Sequence, residues 1–217
     1  MEVNKIYNED CLETFRKLKD NSVNHIFTSP PYNRKRNDKY EFYNDQIEDY
    51  YSFITTVIDE SIRVSTGYVF FNIMKNYYNK NEVYRLIGEY RESISEIFIW
   101  EKTNPLPASG KSITNSYEFF IVFGDKLKSN KTYTKNIIST SVAKMSKMHK
   151  AMMHPKAAKF FIENFTNEKD IIYDPFMGLG TTAIVCKKLN RNYLGSEITK
   201  EYYEESLRLI NGNLELF

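Results

Sequence analysis

The chain has 217 residues and a formal net charge of +2, with 41% hydrophobic and 15% aromatic residues. That length suits one domain with one sizeable core, the apolar share excludes a disordered chain, and the small net charge makes a bulk electrostatic argument for a nucleic-acid partner weak, so charge is read locally. Cys11 and Cys186 stand far apart without metal-ligand spacing, so no disulfide framework and no metal site is expected. The polar first residues and the lack of a long apolar run predict no membrane segment and a cytoplasmic protein.

In chain order, residues 23–28 read as a buried strand that stops at Ser29-Pro30-Pro31. Residues 47–64 have helical spacing of Ile, Tyr, Phe and Val, 67–73 form a second strand, and 82–91 a second helix. Residues 94–101 and 117–124 are β-rich and predict an antiparallel pair at a sheet edge. Residues 155–165 predict a helix with Pro in its first turn. Strand 170–174, helix 181–189, strand 191–197 and helix 200–210 complete the pattern. Strands separated by helices imply an α/β fold with a mostly parallel twisted sheet covered on both faces. Two basic stretches interrupt it. Residues 33–45 carry Arg34, Lys35, Arg36 and Lys39, and residues 126–150 carry Lys126, Lys128, Lys131, Lys135, Lys144, Lys147 and Lys150 with no acidic residue.

The run Asp174-Pro175-Phe176-Met177-Gly178-Leu179-Gly180-Thr181-Thr182 is a strand end, a glycine turn and a helix start. Glycine allows a sharp turn and close approach of a ligand. Such a turn sits where open α/β sheets bind ligands. It lacks the Gly-Lys-Ser/Thr ending of a phosphate loop and the spacing of a dinucleotide fingerprint. At the end of the next strand, Glu197 can hold both hydroxyls of a ribose. A turn without a phosphate grip, followed by a ribose carboxylate, suits a phosphate-free nucleoside cofactor such as S-adenosylmethionine.

Ser29-Pro30-Pro31-Tyr32 offers a different chemistry. Two prolines fix the backbone and remove two N–H donors, which leaves rigid carbonyl acceptors. An exocyclic base amine is a poor nucleophile because its lone pair is delocalised. Hydrogen bonds to Ser29 and a prolyl carbonyl would hold that amine in place, and Tyr32 offers a face to a flipped base.

Together these segments resemble the DNA amino-methyltransferase family that modifies cytosine N4 or adenine N6. Tyr7-Asn8-Glu9-Asp10-Cys11-Leu12 looks like its opening segment, which implies that Asp10 and Cys11 approach the cofactor's adenine. Ser29–Tyr32 matches the catalytic motif. Trp100-Glu101-Lys102-Thr103-Asn104-Pro105 and Ser116-Tyr117-Glu118-Phe119 look like later target-side segments. His154-Pro155-Lys156 resembles the segment at the cofactor's methionine end, which implicates His154 and Lys156. Asp174, Pro175, Phe176, Gly178, Gly180, Thr181 and Thr182 match the cofactor loop, and Gly195-Ser196-Glu197 the ribose motif.

With the catalytic motif first and the cofactor loop last, the resemblance implies the circularly permuted β-class order and a single S-adenosylmethionine-dependent, Rossmann-like domain over 1–217. It also implies a target-recognition segment between the two motifs, where the short basic insert 125–150 falls. There lysines would pair with phosphates of double-stranded DNA, and Asn136, Ser139 and Ser141 would meet base edges. So short an insert leaves a short target, a homodimer or a partner protein supplying contacts as the alternatives, and a restriction endonuclease is a further candidate partner. Leu179 departs from the family, which often has a small residue between the glycines, and His154-Pro155-Lys156 lacks part of the usual continuation. Serine at the head of the catalytic motif favours cytosine N4, with adenine N6 as the alternative. An RNA, protein or small-molecule methyltransferase and a non-catalytic relic are the remaining readings.

Overall fold

A computed structural model describes residues 1–34, 45–105, 107, 113–141 and 153–212. Among the described residues, eight strands and six helices follow in the order β1 Lys5–Tyr7, α1 Cys11–Lys17, β2 His25–Thr28, α2 Tyr50–Val64, β3 Val69–Ile73, α3 Lys80–Glu89, β4 Ile94–Lys102, β5 Tyr117–Phe123, β6 Ile137–Thr140, α4 Pro155–Phe165, β7 Ile171–Asp174, α5 Thr181–Lys188, β8 Asn192–Ser196 and α6 Lys200–Asn211. The strands form one sheet in the order β1-β8-β7-β2-β3-β5-β4-β6. Strand β5 runs against both neighbours, β3 and β4, and the other pairings are parallel.

Strand alternation divides the core in two. Phe27, Phe70, Phe120 and Ile172 face α4, α5 and α6, whereas Ile26, Phe71, Ile121 and Tyr173 face α1, α2 and α3. Phe161 of α4 anchors the first side, with its ring centroid 4.3 Å from that of Phe120 and 5.2 Å from that of Phe70. Burying such a ring contributes about 1.5–3 kcal/mol. The helices of the first half thus cover one face and those of the second half the other. The winding reverses between β2 and β7, so the crevice at their carboxyl ends is the topological switch point where such sheets bind ligands.

Strands β1 and β6 and helix α1 lie outside the elements predicted from the sequence. In β1 only Ile6 is buried, and β6 alternates exposed and buried residues inside a lysine-rich stretch. Helix α1 spans only two turns. It is held by Asp10, whose carboxylate accepts from Leu12 N–H at 2.8 Å, and by burial of Cys11 and Phe15. The predicted pairing of 94–101 with 117–124 is present as β4 and β5. The edge, however, belongs to β6, tied to β4 where Trp100 Nε1–H donates to Thr140 Oγ1 at 2.7 Å.

Candidate active site

The two sequence turns meet at the switch point. Thr28, the last residue of β2, donates its hydroxyl to Asp174 Oδ1 at 3.1 Å across the crevice. Asp174 also accepts from Phe176 N–H at 3.0 Å and Thr182 Oγ1 at 2.5 Å. It therefore ties β2, the glycine loop and the start of α5 together. Burial pushes its carboxyl up to about 6, against the lowering effect of those three hydrogen bonds.

Gly178 and Gly180 both take left-handed backbone conformations, with φ of +54° and +86°. Gly178 N–H donates to Glu197 Oε2 at 2.8 Å, and Thr199 N–H donates to Oε1 at 2.8 Å. Glu197 is buried, and burial raises its carboxyl above the ordinary value. The Thr199 hydroxyl also bonds this carboxylate, which offers about four lone-pair sites, so after three bonds Glu197 keeps some acceptor capacity. A Cβ added at Gly178 would reach no heavy atom closer than Phe176 O at 4.0 Å. The loop backbone beside Glu197 is therefore open to a ligand. Pro175 is buried, Phe176 packs edge-on to Phe53 with centroids 5.9 Å apart, and Thr181 opens α5. Gly195 serves packing instead. A Cβ there would meet Met177 Cε at 2.4 Å, so glycine makes room for the methionine under the loop. Leu179 fills the core on the α4–α6 side.

The opening segment joins this corner. Glu197 N–H donates to Tyr7 O at 3.0 Å, and Asn8 Nδ2 donates to Glu197 O at 2.8 Å. That places Asp10, exposed, and Cys11, buried, one short step away. Burial pushes the Cys11 thiol up, so it packs as an apolar group. His154 caps α4 by accepting Lys156 N–H on Nδ1 at 3.1 Å, and burial together with Lys156 lowers its basicity. Helix α4 packs on α5, but among the described residues no hydrogen bond joins His154 or Lys156 to the glycine loop.

The backbone of the Ser29–Tyr32 turn is held by three side chains. Tyr50 Oη donates to Pro31 O at 2.8 Å, while Asn76 Nδ2 and Asn79 Nδ2 both donate to Tyr32 O, at 2.8 and 2.9 Å. The Pro31 carbonyl is thus used within the fold. Among the described residues no donor reaches the Pro30 carbonyl, which leaves it free to accept. Asn33 ends the turn in a left-handed conformation (φ +51°) and accepts Ile47 N–H on Oδ1 at 3.1 Å.

The side chains of the turn point into a polar cluster. Ser29 Oγ lies 2.7 Å from Tyr32 Oη and 3.1 Å from Asn72 Oδ1. Tyr32 Oη lies 2.6 Å from Asn72 Oδ1 and 2.9 Å from Glu118 Oε2. Glu118, 4% exposed, pairs through Oε1 with Lys102. Burial and the Glu118 charge push the Tyr32 hydroxyl well above its ordinary value. Two target-side segments predicted from the sequence thus supply Lys102 and Glu118. Asn72, Asn76, Asn79 and Tyr50 were not expected. The available signal for Asn72 was one amide in the buried strand Val69-Phe70-Phe71-Asn72-Ile73.

The structure separates the basic residues. Arg34 stays beside the turn, its guanidinium 5.4 Å from the Tyr32 ring centroid. Lys35, Arg36, Lys144 and Lys147 lie outside the described residues. Lys126, Lys128 and Lys131 do not reach the catalytic end. Strand β5 runs antiparallel and delivers the chain to the amino ends of the parallel strands. There Lys128 N–H meets Tyr68 Oη at 3.2 Å, Lys126 O accepts from Tyr68 Oη at 3.4 Å, and Lys131 Nζ lies 3.6 Å from Glu163. Exposed Lys135 precedes β6, which then runs back toward the catalytic end. The first part of the stretch 125–150 thus lies at the far end of the sheet from the two turns, and the part after β6 falls largely outside the described residues.

With this geometry in place, comparison with known proteins assigns the family. A family model described as DNA methylase, covering N6 and N4 methyltransferases, matches residues 23–208. The chain belongs to this DNA methylase family. The family is S-adenosylmethionine-dependent, and its members are DNA methyltransferases. Among curated relatives, the type II methyltransferase M.BglII of Bacillus subtilis is 26% identical over 97% of this chain and 69% of its own length. M.HinfI of Haemophilus influenzae is 26% identical over 97% of this chain and 70% of its own, and M.MwoI of Methanothermobacter wolfeii is 31% identical over 85% and 30%. The chain thus spans about 70% of two of these relatives and less than a third of the other. Among solved structures, the PvuII DNA methyltransferase (cytosine-N4-specific) superposes with a TM-score of 0.78 at 20% identity, over 97% of this chain and 88% of that one. The M1.HpyAVI–SAM complex gives 0.70 at 24%, over 96% and 99%. Likeness at these identities shows the shared fold. No helix among the described residues is long and apolar enough to cross a membrane.

Proposed function

We propose that this methyltransferase transfers a methyl group to the exocyclic amine of a base flipped out of double-stranded DNA, and that cytosine N4 is its target. The observation that carries the reading is the junction of the two turns. An acceptor-rich Ser-Pro-Pro-Tyr turn and an open glycine loop are clasped by Thr28 and Asp174 at one crevice. When bound, S-adenosylmethionine supplies an activated methyl on a sulfonium. Glu197 would hold its ribose hydroxyls, Gly178 and Gly180 would let the cofactor lie against the backbone, and the segment at Asp10 would border its adenine. Ser29 Oγ and Pro30 O would accept the two N–H groups of the target amine, and Tyr32 would lie against the base. Alignment and electrostatics supply the catalysis, because the donor is already reactive.

Serine at position 29 supports cytosine N4. Adenine N6 is the second reading, because a serine acting as acceptor serves either amine. Arg34, beside the Tyr32 ring, would meet a DNA phosphate. A homodimer or an endonuclease partner would extend that surface. Nucleoside mass spectrometry of DNA from cells expressing the protein, against cells expressing the Ser29→Ala variant, tests the proposal. N4-methylcytosine that disappears with the variant is expected. N6-methyladenine would move the target and keep the roles, and methylation undiminished by Ser29→Ala would overturn the assignment of the turn.

A further inference from the structure

Four short contacts join Ser29 Oγ, Tyr32 Oη, Asn72 Oδ1 and Glu118 Oε2, yet the two hydroxyls bring only two hydrogens to them. Asn72 supplies none, because its Nδ2 donates to Phe119 O at 3.0 Å and leaves the amide oxygen facing the hydroxyls. Glu118 faces Lys102 through its other oxygen and is an acceptor. If Tyr32 donated to Ser29, its oxygen would face Asn72 Oδ1 at 2.6 Å and Glu118 Oε2 at 2.9 Å with no hydrogen in either contact. Tyr32 therefore donates inward, to one of these two. The 2.7 Å contact between Ser29 and Tyr32 then requires Ser29 to donate to Tyr32. With its hydrogen drawn inward, Ser29 presents a lone pair to the crevice.

We propose that Ser29, Tyr32 and Glu118 form a proton relay that carries the surplus proton of the methylated amine into the sheet, with Glu118 as its terminal acceptor. Asn72 and Lys102 are positioning residues. The inference rests on the functional reading above. As the target nitrogen bonds to the methyl carbon, the carbon–sulfur bond breaks and its electron pair returns to sulfur. The nitrogen is then cationic and carries one proton too many. It is far more acidic than a carboxylic acid, because losing that proton returns the nitrogen lone pair to conjugation with the ring. The proton passes to Ser29 Oγ as the Ser29 hydrogen passes to Tyr32 Oη and the Tyr32 hydrogen to Glu118 Oε2. Both protein links are already at hydrogen-bond length, 2.7 and 2.9 Å. The neutral methylated base and a protonated Glu118 result, and Glu118 returns its proton to solvent after release.

The test uses the full chain, S-adenosylmethionine and duplex DNA carrying its target site in unmethylated form. Glu118→Gln keeps an acceptor for Tyr32 but takes no proton. Glu118→Gln with Lys102→Met removes the same acceptor without leaving a buried unpaired charge. Single-turnover methylation is expected to fall roughly 100-fold or more in both, as for loss of a proton acceptor. Calorimetric affinities for cofactor and DNA should stay within about twofold, a split that a misfolded site would not give. Tyr32→Phe cuts the same wire and keeps the ring. Its loss should match that of Glu118→Gln and should not add to it in the double variant, because residues acting as one unit are non-additive. The wild-type rate should show a solvent deuterium isotope effect that curves with deuterium fraction, and Glu118→Gln should remove the curvature. Wild-type rates in both Glu118 variants, or fully additive losses, would overturn the relay alone. A wild-type protein that transfers no methyl to DNA would defeat the functional reading on which it rests.

Discussion

The Ser29–Asn33 turn and the Asp174–Gly180 loop leave neighbouring strands at the same end of one sheet, and they are stiffened by opposite means. In the first, two prolines remove donors, and side chains from α2 and the β3–α3 connection hold the backbone carbonyls of Pro31 and Tyr32. In the second, two glycines adopt left-handed conformations, and carboxylates hold the backbone N–H groups of Phe176 and Gly178. The proline turn is left with acceptors to present, which suits an amine that must donate. The glycine loop is left with open backbone and a carboxylate that keeps some acceptor capacity, which suits a hydroxylated cofactor without phosphates. Thr28 and Asp174 join the two, so a methyl donor held at one turn and an acceptor held at the other would share one junction.

The largest effect should come from that junction. Asp174 has its carboxyl pushed up by burial from 3.8 to about 6. An acid with a raised folded-state value binds protons more tightly in the folded state. Its contribution to stability is therefore full below about pH 4 and is lost as pH rises through 6. The loss is on the order of 2–3 kcal/mol. In Asp174→Asn this dependence disappears. The unfolding free energy of the variant minus that of wild type, measured in urea at pH 4, 5, 6 and 7, should rise by that amount. A difference that stays flat would show that Asp174 is not held in a costly ionised state, and that the clasp is looser than the three hydrogen bonds imply.

Next in size is the cofactor side. Glu197→Ala should weaken S-adenosylmethionine binding by about 1–3 kcal/mol, roughly 5- to 150-fold. In calorimetry the Ser29→Ala variant should keep wild-type cofactor affinity. That contrast sharpens the division of labour between the turns. Equal affinities for Glu197→Ala and wild type would remove the carboxylate from the ribose role.

Both turns were legible in the sequence because their chemistry is local. Proline and glycine act on the backbone where they stand, and Ser29, Asp174 and Glu197 follow strand ends that hydrophobic runs mark. What lay hidden depends on register. Asn72 faces Ser29 and Tyr32 only because β3 lies beside β2, and Glu118 reaches Tyr32 only because β5 pairs antiparallel with β3. Neither pairing follows from composition or period. The same antiparallel strand decides where the lysines stand: a basic run reads alike wherever the chain carries it, and β5 carries its first part to the end of the sheet opposite the two turns. The short β1 and β6 escaped notice because three or four residues with one or two buried side chains give no period.

The smallest expected effect tests that placement. Arg34 stands beside the Tyr32 ring at the catalytic end, whereas Lys126, Lys128 and Lys131 lie by Tyr68 and Glu163 at the opposite end. Each phosphate contact releases condensed counterions, so losing one lowers the slope of log affinity against log salt by about one. Arg34→Ala should lower the slope by that amount in a fluorescence-anisotropy titration with duplex DNA. The triple Lys126→Ala, Lys128→Ala, Lys131→Ala variant should leave it unchanged, although it removes three times the charge. Bulk charge cannot produce that outcome, because it would give the triple variant the larger effect. A reduced slope in the triple variant would mean that DNA wraps past the edge of the sheet to its amino end, and the duplex would then have to be placed across β5 and α4 rather than over the two turns alone.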